Sequence, residues 1–209
     1  MSIVTRAINM ITKPKEEWDI IASEPATVGG LFTGYALILA LLPLIGTIVV
    51  VGLLGMGASA MGGAAAMGMG MSFIAGSAVV GYFVGLALLL LVSFIVNALT
   101  PSFNGKQDMV QATKLMVYSA TPTWLAGILG GIPIIGFLLG FAAMAYAVYL
   151  IYLGVKPVLG VPDDKVAGMT VVTVLIYIVA SVVIGGIIAV GIVGMFFSSG
   201  MMAGAMTGA

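Results

Sequence analysis

Long apolar runs, each far longer than the core helix of a soluble domain, follow one another along this chain with only short polar stretches between them. No residue from Pro25 to Gly105 carries a charge, nor any from Leu115 to Val155 or from Val166 onward. A helix crossing a bilayer needs roughly 20 mainly apolar residues. The pattern predicts five spanning segments, over residues 28–54, 72–99, 112–129, 133–155 and 166–197. Several exceed the required length, which predicts tilt, kinks or overhang into the interface. Pro43 falls in the middle of segment one and Pro122 interrupts segment three. The expected fold is all-α: one polytopic membrane domain over residues 1–209, a bundle of five transmembrane helices.

Ahead of the first span, residues 2–12 place Ile3, Ala7, Ile8 and Ile11 on one helical face, with Arg6 and Asn9 opposite. Pro14 breaks the pattern. Lys15 to Ala22 resumes it, with Trp18 and Ile21 on one side and Glu16, Glu17 and Asp19 on the other. Two short amphipathic helices lying on the membrane surface are expected over residues 1–24, with Trp18 in the interfacial aromatic position. The few apolar residues between Arg6 and Lys13 make no signal-peptide core, so the first span is expected to act as an uncleaved anchor.

The connections alternate in character. Residues 55–71 are a Gly/Ala/Met run, 101–111 are polar, Gly130-Gly131 reads as a two-residue turn, 156–165 are polar again, and 198–209 form an uncharged tail. With five spans, the N-terminus and the two polar connections share one face, and all seven Lys and Arg lie there. The positive-inside rule puts that face and the N-terminus in the cytoplasm and the C-terminus outside. A prokaryotic cytoplasmic (inner) membrane is the expected location.

Composition agrees with the pattern. Only 7% of residues are charged and 62% are hydrophobic, against about 25% charged in soluble domains. Net charge is zero, which argues against a nucleic-acid partner. The sequence has no Cys and no His. Disulfides, thiol chemistry and imidazole or thiolate metal sites are therefore excluded, and so is the commonest general base near neutral pH. The expected partners are membrane lipids, with other membrane proteins or a second copy of the chain as further possibilities.

Candidate chemistry is sparse, and no residue is assigned as catalytic, cofactor-binding or firmly metal-ligating. Asp163 and Asp164 precede segment five, where carboxylates suit a helix start. Segment three is the least apolar span, reading Tyr118-Ser119-Ala120-Thr121-Pro122-Thr123-Trp124. Pro122 cannot donate to the carbonyl of Tyr118. That carbonyl needs a substitute donor, which Ser119, Thr121 or Thr123 can supply. Such a kink lines a cavity or serves packing alone. Small residues recur as Gly81-x-x-x-Gly85 and Gly136-x-x-x-Gly140, a spacing for close helix packing within a bundle or between copies. Met67, Met69 and Met71 are soft thioether ligands suited to Cu(I), although low-complexity apolar sequence explains them as well. Lys13, Pro14, Trp18, Lys106, Lys114, Lys156, Asp163 and Asp164 make up the candidate recognition face on the charged side.

Three groups of residues together resemble the Yip1 family in its short bacterial or archaeal form. They are Lys13-Pro14-Lys15-Glu16-Glu17-Trp18 followed by Ile20-Ile21; Tyr118, Ala120 and Pro122 with the turn Gly130-Gly131-Ile132-Pro133; and Tyr149, Tyr152 and Leu153 running into Gly154-Val155-Lys156. The resemblance spans about residues 7–197 and rests on order and spacing. It implies a five-helix integral membrane protein with a cytoplasmic N-terminus. Eukaryotic relatives bind prenylated Rab-type GTPases in ER–Golgi traffic. This chain lacks their long polar N-terminal region and their Asp-Leu-Tyr-Gly motif, the nearest stretch being Met116-Val-Tyr118-Ser119. GTPase binding is therefore not carried over.

The expected function is that of a non-enzymatic membrane-organising or scaffold protein acting through lipid or membrane-protein contacts, with no cofactor. The alternative is a small transporter, channel or lipid-moving protein using a cavity at the Pro43 and Pro122 kinks. A remote one is Cu(I) binding by the methionine-rich outer segment.

Overall fold

A computed structural model describes residues 1–59, 64–130, 132 and 134–207, without the side chains of 51, 54–59, 64–73, 192–193 and 195–207. The described residues are helical, with no strand among them. Four helices are long and apolar enough to cross a membrane: Val28–Val50, Ile74–Phe103, Ile135–Leu159 and Asp163–Gly191. They match the first, second, fourth and fifth predicted segments.

The third predicted segment is two helices, α7 (Met109–Ser119) and α8 (Thr121–Gly127), parted at Ala120. Proline has no N–H to continue the ladder but suits a first helical turn, so the chain stops α7 and restarts α8 with Pro122 in that turn. Asp108 starts α7 by accepting from the N–H groups of Val110 and Gln111.

The first span is interrupted as well. α3 (Val28–Leu31) passes through a π-type turn (Phe32–Ala36) into α4 (Leu37–Leu39), and α5 (Leu41–Ser59) begins after Ala40. Pro43 leaves the carbonyl of Leu39 without its helical donor, which accounts for the break. Nearby, the hydroxyl of Tyr82 on α6 (Ala64–Leu99) donates to the carbonyl of Leu37 at 2.9 Å.

Several predicted boundaries move. Helical backbone of α5 and α6 covers most of the 55–71 connection; the side chains of Met67, Met69 and Met71 lie outside the described residues. α9 (Ile135–Leu159) continues past Val155 and stops at Gly160, whose φ of 67° is the left-handed cap that glycine adopts without penalty. α10 (Asp163–Thr207) carries Asp163 and Asp164 in its first turn and extends through most of the predicted tail. Residues 128–134 separate α8 from α9, a longer connection than the two-residue turn expected, with Gly131 and Pro133 outside the described residues. Gly136 does pack within the chain: a Cβ there would stand 2.5 Å from the carbonyl oxygen of Gly130. At Gly81, Gly85 and Gly140 a Cβ would meet nothing within 4 Å, so those positions are not close-packed against the described residues.

The three charged clusters meet at one end of the bundle. The N–H of Lys106 donates to the carbonyl of Leu159 at 2.8 Å, and Lys156 pairs with Asp163 at 2.7 Å. The two N-terminal helices, α1 (Ile3–Thr12) and α2 (Pro14–Ser23), pack against the same end. Met10, Trp18, Ile21, Val96, Leu115 and Val155 are fully buried in the core there. Toward the other end Phe83, Phe137, Val182 and Val190 are exposed, as expected of helices solvated by lipid.

The two faces of α1 are divided between the bundle and the surface. Arg6, Ala7 and Met10 are buried, whereas Val4, Ile8 and Ile11 are exposed. The polar stripe faces inward because it has partners on α2, and Val4, Ile8 and Ile11 are left on the surface. Trp18 is likewise no interfacial anchor: it is fully buried, and a Cβ on Gly154 of α9 would lie 2.8 Å from its indole.

Candidate functional site

Arg6 organises the charged end. Its guanidinium donates to Glu17 at 2.5 Å and to Glu24, and it stands 5.6 Å from the centroid of the Tyr118 ring. The amide of Asn9 donates to the other Glu17 oxygen at 2.8 Å. Taking charges out of water costs several kcal/mol per ion unless each is paired and hydrogen-bonded. Arg6 and Glu17 are 5% and 2% exposed, and both meet that condition.

The last turn of α2 is held from α7. Lys114 donates to the carbonyls of Ile21 at 2.7 Å and Glu24 at 2.6 Å, while the Gln111 amide donates to Ala22 at 3.1 Å. Carbonyls that end a helix have no partner of their own and favour a cation, so Lys114 serves as an external cap. On the far side the Tyr146 hydroxyl donates to the carbonyl of Ile11 at 2.8 Å. Side chains from α7 and α9 thus fix both N-terminal helices.

Deeper in the bundle lies the break between α7 and α8. The Thr121 hydroxyl donates to the carbonyl of Tyr118 at 2.7 Å, replacing the donor that Pro122 lacks. With its one proton so used, Thr121 accepts from the Tyr35 hydroxyl at 2.9 Å. Thr123 donates to Ala120 at 2.7 Å. The rings of Tyr35 and Tyr118 meet edge to face at 4.8 Å, linking the break to Arg6. Pro43 presses on α8, where a Cβ on Gly127 would come within 2.5 Å of its ring. Each proline break therefore also packs against the neighbouring broken segment. Ser119 is buried, yet its hydroxyl has no partner among the described residues.

Three openings surround this centre. A broad cleft of about 710 Å³ at the charged end is bordered by Arg6, Glu24, Thr27, Tyr35 and Tyr118. A cavity of about 240 Å³ lies between Pro43, Tyr82, Thr123, Trp124 and Tyr177. A smaller one of about 130 Å³ is lined by Met116, Ser119, Thr123, Met144, Ile151 and Tyr177.

The structure brings Pro43, Tyr118, Ser119, Thr121, Pro122 and Thr123 into one region. The candidate recognition face divides. Lys13, Lys106, Lys156, Asp163 and Asp164 are exposed and Pro14 is half-buried. Trp18 and Lys114 are removed from it: both are buried, one as packing and the other as the α2 cap. No cluster of three or more His, Asp or Glu suited to a metal occurs among the described residues. Arg6, Glu17, Glu24 and Tyr35 were not legible as a group. The one available signal was a matching of polar positions, Arg6 and Asn9 on one helix against Glu17 and Glu24 on the next, while nothing in the sequence marks Tyr35.

No curated protein and no solved structure matches the chain. The family model described as the Yip1 domain matches residues 8–185, from within α1 into α10. Together with four apolar helices of spanning length, this match makes the chain an integral membrane protein. It covers most of the sequence and agrees with the resemblance carried by the N-terminal, third-segment and α9 residues: the chain belongs to the Yip1-domain family.

Proposed function

We propose that this protein is a non-enzymatic organiser of the membrane, working through lipid contact at its charged end. In this reading α7 and α8 together make a fifth, broken span. The N-terminus then faces the cytoplasm and the C-terminus the outside. The observation that carries the reading is the fixed seat of α1. Arg6 and Asn9 tie its inner face to Glu17, while Val4 and Ile8, 68% and 55% exposed, point away from the bundle. Ile3, Ala7 and Ile8 border the same shallow groove as Ile38, Leu39 and Leu42 of the first span, so the apolar face of α1 continues the lipid-facing surface. An amphipathic helix that buries its apolar face at the headgroup boundary is sensitive to curvature and lipid packing. Clamped to a bundle, such a helix acts as a wedge in one leaflet.

The test is reconstitution into liposomes of one defined size. The wild type is expected to shift the vesicles toward smaller or tubular forms as protein density rises. Val4→Ser/Ile8→Ser is expected to lose the effect while keeping its gel-filtration profile. Identical vesicle populations for the two proteins would refute the reading. Topology is checked separately: a C-terminal alkaline phosphatase fusion should be active and a C-terminal GFP fusion dark, and the reverse would remove the fifth span.

A further inference from the structure

The broad cleft at the charged end and the apolar groove beside α1 meet at Ile3, which borders both. The cleft, about 710 Å³, has Arg6, Glu24 and Thr27 at its polar end and Gly30 and Gly34 of the first span along its wall. The groove, about 260 Å³, continues the same span past Ile38, Leu39 and Leu42 and is lined by apolar residues alone. Gly30, Gly34, Ile38 and Leu42 follow one another at a spacing of about one helical turn. The first three are exposed. A Cβ on Gly34 would meet nothing within 4 Å, and one on Gly30 only the Thr27 hydroxyl at 3.0 Å. A strip without side chains therefore joins a polar cleft to an apolar groove, which is the outline of an amphiphile.

The polar end selects by charge. The Arg6 side chain is 7% exposed, and its guanidinium already serves Glu17 and Glu24. Lys114 is buried and spent on two backbone carbonyls. Neither cation is offered to the cleft. Glu24 is the reverse case. One of its carboxylate oxygens accepts from Arg6, the other has no partner among the described residues, and the side chain is 38% exposed. Thr27 accepts from the N–H of Gly30 at 3.0 Å and donates its own proton to no described residue. Arg6 and Lys114 balance Glu17 and Glu24, so the cluster carries no net charge. An anionic headgroup finds no free cation here. A zwitterion finds an acceptor for its ammonium and a hydroxyl donor for its phosphate.

We propose that the cleft and groove together bind one zwitterionic glycerophospholipid with a primary ammonium, of the phosphatidylethanolamine class. The ammonium donates to the free Glu24 oxygen, the phosphate accepts from the Thr27 hydroxyl, and one acyl chain lies over Gly34 and Ile38 into the groove. A choline headgroup has no N–H to give Glu24 and is bound less well. This rests on the reading that the charged end meets lipid, but not on the action of α1 as a wedge.

The experiment titrates the full chain in mild detergent with phosphatidylethanolamine, phosphatidylcholine or phosphatidylglycerol of identical acyl chains, and counts bound lipid by native mass spectrometry. The wild type is expected to hold one phosphatidylethanolamine, preferred over either of the others by about two- to fivefold, the worth of a partly exposed ion pair. Glu24→Gln should bring phosphatidylethanolamine down to the level of phosphatidylcholine and leave phosphatidylcholine unchanged. Gly34→Leu keeps every polar group and places its side chain in the open space of the cleft, so it should lower binding of all three lipids with no change in melting temperature. Equal binding of the three lipids by the wild type, a preference for phosphatidylglycerol, or wild-type behaviour in either variant overturns the proposal. Vesicle remodelling without this selectivity removes the lipid site and leaves the wedge standing; selectivity without remodelling does the reverse.

Discussion

Replacing Arg6 by Met strands a carboxylate. Glu17 is 2% exposed and keeps only the Asn9 amide once the guanidinium at 2.5 Å is gone. Glu24, whose side chain is 38% exposed, can return to water and contributes little to the loss. Removing one partner of a buried pair typically costs about 3–5 kcal/mol. For a chain of this length that corresponds to a fall in melting temperature on the order of 10 °C. Arg6→Met/Glu17→Leu removes the stranded charge together with its desolvation penalty, and replacing a whole buried pair by apolar groups is often neutral or stabilising. The double variant should therefore melt close to the wild type although it has lost the ion pair. The assay is thermal unfolding in detergent followed by tryptophan fluorescence, which Trp18 reports from the same region. A single variant as stable as the wild type would show that Glu17 is not desolvated. A double variant as unstable as the single would show that the pair contributes net stability, and either result refutes the reasoning.

Gly154→Ala drives a methyl group to 2.7 Å from Leu115 and 2.8 Å from the Trp18 ring; overpacking of this kind costs about 1–3 kcal/mol, read as a lower melting temperature with an altered Trp18 emission. Lys114→Met uncaps the carbonyls of Ile21 and Glu24 and should loosen α2, so limited trypsin digestion at Lys15 should accelerate several-fold without loss of the bundle. Thr121→Val removes the donor that serves the Tyr118 carbonyl, at a cost of about 1–3 kcal/mol for an unsatisfied buried group. Tyr35→Phe leaves that bond in place, so it should cost less than Thr121→Val in the same melting assay; equal costs would show that the relay through Thr121 is misassigned.

Membrane residence, all-helical structure and the gathering of charge at one end were legible in the sequence. The reason is energetic: a bilayer excludes charge and unpaired backbone so strongly that hydropathy alone records both. The proline breaks were legible for the same local reason, since a missing N–H needs no tertiary context. Trp18 and Lys114 misled, each being a residue type that ordinarily sits at an interface. Their burial depends on a glycine of α9 and on carbonyls of α2 far away in the chain. Arg6 misled in the same way. Periodicity showed that α1 had two faces, but only packing against α2 decided that the charged one turns inward. By itself the sequence determined where the chain must avoid charge, because that is a property of each segment against its solvent. The tertiary structure alone decided which charges are buried and where a hydroxyl is left unpaired, because those depend on partners that only folding brings together.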